Sequence, residues 1–295
     1  MLPLAWLVGY AACTYAVEPA GEMLPGEFKR LLPLHEKLGT ARPGEWLAEH
    51  AESGQTFRQY VRGRPVTPDR KRRVIYVQPL GDFSNTQRKI VSLTAEFMQA
   101  YFGLPVMIRE NLPLSLIPAD ARRKHPSWGM DQILSTYVLS DVLYPRLPED
   151  ATAYIALTTS DLWPGEGWNF VFGQASLNHR VGVWSIYRNG DPEASDDAFR
   201  LCLERTIKTA THETGHMFSL PHCIQHPCNM CGSNHRAERD HLPLWLCPHC
   251  LAKLSWATKA DPEERFKKLI DFSKANSLDR EQEFYKKSLS ALRGE

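Results

Sequence analysis

The stretch that decides the fold is residues 211–223, which read Thr-His-Glu-Thr-Gly-His-Met-Phe-Ser-Leu-Pro-His-Cys. His212 and His216 are four residues apart, so on a helix their imidazoles lie on one face and can bind one metal ion. Glu213 lies one position further round the helix, close to such an ion but poorly placed to bind it. That position suits a general base acting on a metal-bound water. The pattern indicates a helix with a hydrolytic metal site.

A third histidine, His222, lies six residues after His216. A catalytic zinc takes three protein ligands plus water, and a turn just after the helix would deliver His222 as the third. The three histidines and the glutamate match the metzincin pattern H-E-x-x-H-x-x-G-x-x-H, except that Ser219 stands where the glycine belongs. A serine in the left-handed conformation costs roughly 1 kcal/mol, so the departure affects the turn rather than the ligand set.

The cysteines are clustered, since five of the seven lie within residues 223–250. An odd number in one cluster is typical of reduced thiols that bind metal rather than of a secreted disulfide framework. Cys223 follows His222 directly, and after it come Cys228, Met230 and the segment Cys247-Pro248-His249-Cys250. This order resembles the archaemetzincins, whose third histidine is followed by a Cys, a Cys-x-Met and a distant Cys-x-x-Cys. The resemblance is strongest over residues 211–254.

The resemblance implies a zinc-dependent peptidase with two zinc ions per chain. The catalytic zinc would be bound by His212, His216 and His222, with Glu213 as the catalytic base. Met230 would form the Met-turn that packs beneath these ligands. A closed structural zinc site has four protein ligands and no open position, and the resemblance assigns it to Cys223, Cys228, Cys247 and Cys250.

Spacing alone offers another set of thiolates. Cys228 and Cys231 form a Cys-x-x-Cys of their own, which together with Cys247 and Cys250 has the spacing of a zinc ribbon. The family pattern favours Cys223 over Cys231.

The remaining chain predicts an α/β (α+β) fold with a metzincin-like mixed twisted sheet, covering helices and a long active-site helix. Short apolar runs predict strands at residues 74–77, 106–108, 154–157, 169–173 and 181–187. Helical spacing predicts helices at residues 85–102, 130–144, about 195–216 and 248–258, and in the charged stretch 261–293.

We expect three parts along the chain. Residues 1–72 form a helical or irregular extension, residues 73–260 the catalytic domain, and residues 261–295 a charged helical tail. Within the catalytic domain we expect an upper subdomain at 73–218, with the sheet and the active-site helix. A lower subdomain at 219–260 would hold the Met-turn and the Cys₄ zinc.

The N-terminus allows two interpretations. Residues 2–17 are largely apolar, and Ala11-Ala12-Cys13 resembles the end of a bacterial lipoprotein signal. However, the first basic residue is Lys29, so the cationic region of a signal is missing, and the run is short for a membrane span. We expect an amphipathic or buried helix, no stable membrane span and a cytoplasmic protein. A lipoprotein or an exported protein, with Cys13 as the site of attachment, is the alternative.

The expected partner is a peptide or protein substrate, which metzincins often pair with an edge strand of the sheet. Residues 169–174 are the candidate edge. A zinc-stabilised module that binds peptides or proteins with little turnover is the alternative function. A net charge of +1, with no basic stripe around residues 223–250, argues against nucleic acid. The position of His222 argues against a glutamate as third ligand. Endopeptidase and aminopeptidase activity are not distinguished.

Overall fold

The computed structural model describes residues 24–295, so the apolar N-terminal segment and Cys13 lie outside the described residues. Its strands are β1 (Val74–Leu80), β2 (Val106–Ile108), β3 (Arg122–Lys124), β4 (Asp131–Leu134), β5 (Ala151–Thr158), β6 (Asp161–Trp163), β7 (Gly173–Ser176) and β8 (Val181–Ser185). Five of them form a sheet in the order β2-β1-β5-β8-β7. All neighbours in this sheet are parallel except β7, which is antiparallel to β8 and lies at the edge.

A smaller sheet has the order β3-β4-β6, with β3 antiparallel and β6 parallel to β4. The α-helices are α1 (Gly26–Lys29), α2 (Trp46–Glu49), α3 (Phe57–Arg62), α4 (Asn85–Phe102), α5 (Ser135–Tyr137), α6 (Asp196–Met217), α7 (Arg236–His241), α8 (Pro248–Thr258), α9 (Pro262–Ala275) and α10 (Asp279–Arg293). A π-helix at Val138–Leu143 and short 3₁₀ turns complete the described chain. Among residues 24–295, no helix combines the length and the apolar composition that a membrane span requires.

Both faces of the large sheet are covered by packed side chains. Side chains of β1 point alternately to the two faces, and buried residues of β1 lie on each. Ile75 and Val77 point into the main core, which also contains buried residues of α4, α6, α8, α9 and α10. Tyr76 and Leu80 point into a second core beneath the π-helix. All eight residues of β5 are buried, as is typical of a central parallel strand. The predicted mixed sheet with covering helices is therefore confirmed.

Most predicted elements are confirmed. The four apolar runs at 74–77, 106–108, 154–157 and 181–187 form β1, β2, β5 and β8, although β8 ends at Ser185. Helix α4 ends at Gly103, whose φ of +62° supplies the left-handed cap. Helices α6 and α8 have nearly the predicted bounds, and the charged stretch 261–293 forms two helices, α9 and α10.

The helix predicted at 130–144 is wrong in its first turn, because Asp131–Leu134 forms strand β4. There the Gln132 amide is buried and donates to the Asp161 carboxylate at 2.7 Å and to the Asn169 carbonyl at 2.9 Å. Pairing with β3 and β6 thus overrides the local helical pattern. Helical structure begins only at Ser135.

The strand predicted at 169–173 is also displaced, since β7 covers Gly173–Ser176. The rings of Phe170 and Phe172 lie against the guanidinium groups of Arg188 and Arg236, at 3.6 and 4.2 Å from the ring centroids. These cation–π contacts fix the two rings. Before β7 begins, the run pairs only at single points: the amide of Val171 donates to the Leu162 carbonyl at 3.1 Å, and the Phe172 carbonyl accepts from the amide of Ser185 at 2.9 Å.

The segment that precedes β1 packs on the end of α6. Its Leu24, Phe28, Leu31 and Tyr60 belong to the main core. The buried Tyr60 hydroxyl donates to the carbonyl of Phe218, the residue at which α6 ends, at 2.7 Å. This hydrogen bond satisfies one of the free carbonyls that every helix leaves at its C-terminus.

Tyr60→Phe removes this hydrogen bond without changing the packing of the ring. We expect the free energy of unfolding to fall by about 1 kcal/mol, because the buried Phe218 carbonyl loses its partner. Urea unfolding followed by circular dichroism measures the change. Tyr187→Phe is the matched control, since Tyr187 is exposed, and it should change stability by less than about 0.5 kcal/mol. Equal effects of the two substitutions would contradict the contact.

Candidate metal centre

Helix α6 carries the first two histidines. Ser195 caps its N-terminus by accepting from the amide of Ala198, and the first turn is acidic, as suits the helix dipole. Its buried residues include Leu203, Ile207 and Ala210, whose three- and four-residue spacing places them on one face. That face packs against α4 and the strands β7 and β8. The helix is thus fixed along the sheet, and its last two turns carry His212 and His216.

The helix ends in a turn that reverses the chain. Ser219 has a φ of +62°, the left-handed conformation that the metzincin pattern assigns to glycine. The amide of Leu220 donates to the Gly215 carbonyl and that of Ser219 to the His216 carbonyl, which are the two bonds of a Schellman motif. The Ser219 hydroxyl also accepts from the amide of Val66 at 3.0 Å, so this serine gains a hydrogen bond that glycine cannot form.

The turn returns His222 to the two helical histidines. One ring nitrogen from each of His212, His216 and His222 lies within 4.8 Å of the others. The Nε2 atoms of His212 and His216 are 3.0 Å apart. His212 is buried, while His216 and His222 are half-buried, so the cluster borders solvent on one side. The three histidines singled out in the sequence are therefore brought together.

The other nitrogen of each ring faces an acceptor. Nδ1 of His212 is 2.7 Å from the Asn229 carbonyl, and Nδ1 of His216 is 2.6 Å from the Leu220 carbonyl. Nδ1 of His222 is 2.7 Å from Oε1 of Glu52. Carbonyl and carboxylate oxygens accept but do not donate, so each Nδ1 carries the proton and each Nε2 keeps its lone pair.

Electrostatics also favour neutral imidazoles. Burial, together with the positive charge of Arg239, lowers the pKa of His212 well below its ordinary value. Burial and the neighbouring His216 lower the pKa of His222, although Glu52 opposes the shift. Three imidazole rings that each bring one nitrogen to a common point, and that are each fixed through Nδ1, form the donor set of a catalytic zinc site. The residues present thus fit this metal.

Glu213 lies on the same helix, directly after His212, and is half-buried. Its negative charge acts on Arg239: burial lowers the pKa of the Arg239 guanidinium to about 10, and Glu213 opposes this shift most strongly. Arg239 therefore remains charged at neutral pH. A carboxylate beside the histidine cluster and facing solvent can exchange protons with a bound water.

The half-buried Arg239 connects α6 with the chain beyond the turn through its guanidinium group. It donates to the Asn229 carbonyl at 2.9 Å, to the Asn229 side-chain oxygen at 2.8 Å and to the Lys208 carbonyl at 2.9 Å. The Asn229 amide donates in turn to the Thr211 hydroxyl at 2.7 Å. Because the Asn229 carbonyl also accepts from His212, this network orients a candidate ligand. No sequence pattern pointed to Asn229 or Arg239.

Met230 is fully buried and lies against Gly215 of α6. A Cβ at Gly215 would lie 2.6 Å from the Met230 sulfur, so any other residue at this position would displace the end of the Met230 side chain. Met230 therefore packs on the helical turn between His212 and His216. Its carbonyl accepts from the amide of Cys223, which links the Met230 turn to the residue after His222.

Four buried cysteines form a second cluster near the C-terminal side of the site. The sulfur atoms of Cys223, Cys228, Cys247 and Cys250 all lie within 4.8 Å of one another. The Cys228 sulfur accepts from the amides of Met230 at 3.4 Å and Cys247 at 3.2 Å. Burial raises the pKa of the Cys228 and Cys247 thiols. A bound cation reverses that effect, and four thiolates are the donor set of a closed zinc site.

Cys231 lies beside this cluster but is not one of its four members. Its thiol donates to the His226 carbonyl at 3.3 Å and is buried. Hydrogen bonding to Cys223 and burial both raise its pKa, so Cys231 stays protonated.

Two residues of the N-terminal segment also touch the site, and neither was marked by a sequence pattern. Oε1 of Glu52 accepts from Nδ1 of His222 at 2.7 Å and from the Trp46 indole at 2.9 Å. Partial burial acts to raise the pKa of Glu52, but these hydrogen bonds outweigh it and lower the pKa. Glu52 is therefore ionised at neutral pH. The Trp46 ring lies edge-on to His222, with centroids 4.9 Å apart.

The chain is similar to known proteins in sequence and in fold. The model of a family described as Peptidase family M54 matches residues 132–256, which contain all seven candidate ligands and Glu213. Archaemetzincin-2 of Homo sapiens is 35% identical over 269 residues, covering 80% of this chain and 74% of the relative. Archaemetzincin of Pyrococcus furiosus is 31% identical over 188 residues, covering 62% of this chain and 93% of the relative.

Among solved structures, the crystal structure of archaemetzincin from Methanopyrus kandleri superposes with a TM-score of 0.50 at 28% sequence identity. The superposition covers 65% of this chain and 99% of that structure.

Substitution of Ser219 tests the turn that brings His222 back. Ser219→Gly relieves about 1 kcal/mol of left-handed strain but loses the Val66 hydrogen bond, which contributes about as much, so stability should change little. Ser219→Ala keeps the strain and loses the hydrogen bond, so it should lower the free energy of unfolding by about 1 kcal/mol. Chemical unfolding of both variants provides the measurement. Greater stability of the alanine variant than of the glycine variant would contradict the assigned backbone conformation.

Proposed function

Because the chain belongs to the archaemetzincins, the metallopeptidases of family M54, we propose that it hydrolyses peptide bonds at a zinc site formed by His212, His216 and His222. Glu213 serves as the general base. The observation that carries this proposal is the convergence of three Nε2 atoms whose rings are each fixed through Nδ1, with a carboxylate next to them on the same helix.

His212, His216 and His222 would hold the zinc ion, which would supply Lewis-acid polarisation of the scissile carbonyl and lower the pKa of water to about 7. Glu213 takes a proton from the attacking water and returns it to the nitrogen of the leaving amine. The Asn229 and Leu220 carbonyls keep the proton of His212 and His216 on Nδ1 throughout. The chain therefore supplies the base, the proton shuttle and the fixed orientation of the ligands.

The substrate has a candidate edge in β7. This strand is outermost in the five-stranded sheet and packs near α6, which carries Glu213. An extended peptide could add to that edge by main-chain hydrogen bonds. The edge proposed from the sequence, residues 169–174, shares only Gly173 and Gln174 with β7. We therefore move the proposed contact to Gly173–Ser176.

A second zinc ion is proposed at Cys223, Cys228, Cys247 and Cys250, in a structural role. The support is the mutual proximity of the four buried sulfur atoms and the amide groups that point at Cys228. A closed site of this kind contributes folding free energy directly. A zinc ion at this site would fix the chain on both sides of Met230, the residue that packs between His212 and His216 on α6.

Glu213→Ala tests the catalytic assignment. The variant should keep its fold and both zinc ions, because Glu213 is not a ligand, while peptide hydrolysis should fall by roughly 10²–10⁴-fold. His216→Ala should instead lose one zinc ion per chain. Cleavage of a peptide library is measured for each variant beside its zinc content.

Three outcomes would contradict the proposal. Equal cleavage by the wild type and zinc-loaded Glu213→Ala would assign the activity to another site. Loss of zinc from Glu213→Ala would make this glutamate a ligand. Negligible turnover by the wild type with tight peptide binding would favour the alternative of a zinc-stabilised binding module.

A pair of cysteine substitutions tests the structural site. Purified wild type should contain two zinc ions per chain by elemental analysis. Cys223→Ser should lower that content to about one and destabilise the C-terminal part, because structural zinc contributes folding free energy. Cys231→Ser should keep both ions, since Cys231 is not one of the four clustered cysteines. The opposite result, with zinc lost only from Cys231→Ser, would establish the zinc-ribbon set.

A further inference from the structure

Of the three clustered histidines, His222 alone lies outside the helix. His212 and His216 belong to α6, whereas residues 220–224 have no regular secondary structure. The Nδ1 groups of the two helical residues bond to backbone carbonyls, while Nδ1 of His222 bonds to a carboxylate side chain. That carboxylate, on Glu52, comes from a segment 170 residues earlier in the chain. The orientation of His222 thus depends on a part of the chain outside the matched family region, residues 132–256.

The segment that carries Glu52 is attached to residues 232–238, which follow the cysteine-rich loop. The amide of Trp46 donates to Glu238 at 2.9 Å, and the Asn234 side chain donates to the Gly44 carbonyl at 3.1 Å. Gly232 lies against the Trp46 ring so closely that no side chain fits there. These contacts fix the indole, which then donates to Glu52. The carboxylate is therefore held by the indole on one side and by His222 on the other.

We propose that Glu52 is a positioning residue for the catalytic metal, held in place by Trp46. Glu52 keeps the proton of His222 on Nδ1 and aims its Nε2 at the point shared with His212 and His216. The proposal rests on the zinc site proposed above. It makes the N-terminal segment a functional part of that site.

The physical reason is the choice of tautomer. A neutral imidazole carries one proton, and a proton on Nε2 would block that nitrogen as a ligand. A carboxylate acceptor at Nδ1 stabilises the productive tautomer and raises the basicity of Nε2, and such partners typically change metal affinity by about 10- to 100-fold. A charged acceptor bonds more strongly than a neutral one. Glu52 therefore fixes the tautomer and orientation of His222, as backbone carbonyls do for His212 and His216.

The test compares Glu52→Leu, Glu52→Gln and the control Glu49→Gln in the full-length protein. Glu49 is on the same segment, but its carboxylate accepts from the amide of Gly44 and not from a histidine. Affinity for the weaker-bound zinc ion is measured by competition with a chelator of known affinity. The visible spectrum of the cobalt(II)-substituted site reports ligand geometry.

Glu52→Leu should weaken zinc binding by about 10- to 100-fold. The zinc affinity of Glu52→Gln should lie between those of Glu52→Leu and the wild type, because the glutamine amide oxygen still accepts a hydrogen bond but carries no charge. Glu49→Gln should match the wild type. The cobalt spectrum should change more in Glu52→Leu than in Glu52→Gln. The content of the thiolate-bound zinc should stay constant in both variants.

Two results overturn the proposal and are distinguishable. Wild-type zinc affinity and an unchanged cobalt spectrum in Glu52→Gln and Glu52→Leu would show that Glu52 does not position the ligand. Retention of the same zinc ion by His216→Ala would instead show that the metal site itself is wrong. Should the leucine variant not fold, the nearly isosteric Glu52→Gln still decides the question, since it keeps the shape of the side chain.

Discussion

The reversal of the chain at Ser219 is the constraint on which the site depends. Two hydrogen bonds of the Schellman motif fix it, and they require one residue with positive φ. The same turn exposes three groups that the rest of the molecule uses. The Leu220 carbonyl accepts from His216, the Phe218 carbonyl accepts from Tyr60, and the Ser219 hydroxyl accepts from Val66. One local backbone conformation thus orients a ligand and anchors the N-terminal segment.

A second set of buried polar contacts links the helix to the chain beyond the turn. The Arg239 guanidinium bonds to Asn229 and to the Lys208 carbonyl of α6, and Asn229 bonds to His212. A buried charge is tolerated only when its donors are satisfied, and here they are used to fix backbone carbonyls. Met230 fills the space between this network and Gly215. Polar contacts from Asn229 and an apolar contact from Met230 therefore hold the same turn of α6.

Local sequence placed the three histidines of the candidate metal centre close together, while their role as ligands stays a prediction. Spacing of four residues on a helix places His212 and His216 together, and the six-residue interval brings His222 beside them. The four cysteines that lie together were singled out by the family resemblance, whereas spacing alone offered the set with Cys231 in place of Cys223. The three-part division of the chain, the location of the protein and the two zinc ions stay predictions. The family assignment is confirmed by relatives that are 35% identical to the chain over 269 residues.

The sequence by itself determined the elements whose periodicity is local: β1, α4 with its glycine cap, α6 and α8. It also determined the ligand spacing, because one helix and one turn set it. Only the tertiary structure decided that Asp131–Leu134 is a strand and that the ladder begins at Gly173, since both depend on partners far away in the chain. It alone brought Arg239 to Asn229, and Glu52 and Trp46 to His222. The residues in these contacts are far apart in the sequence, so no periodicity or spacing along the chain predicts that they meet.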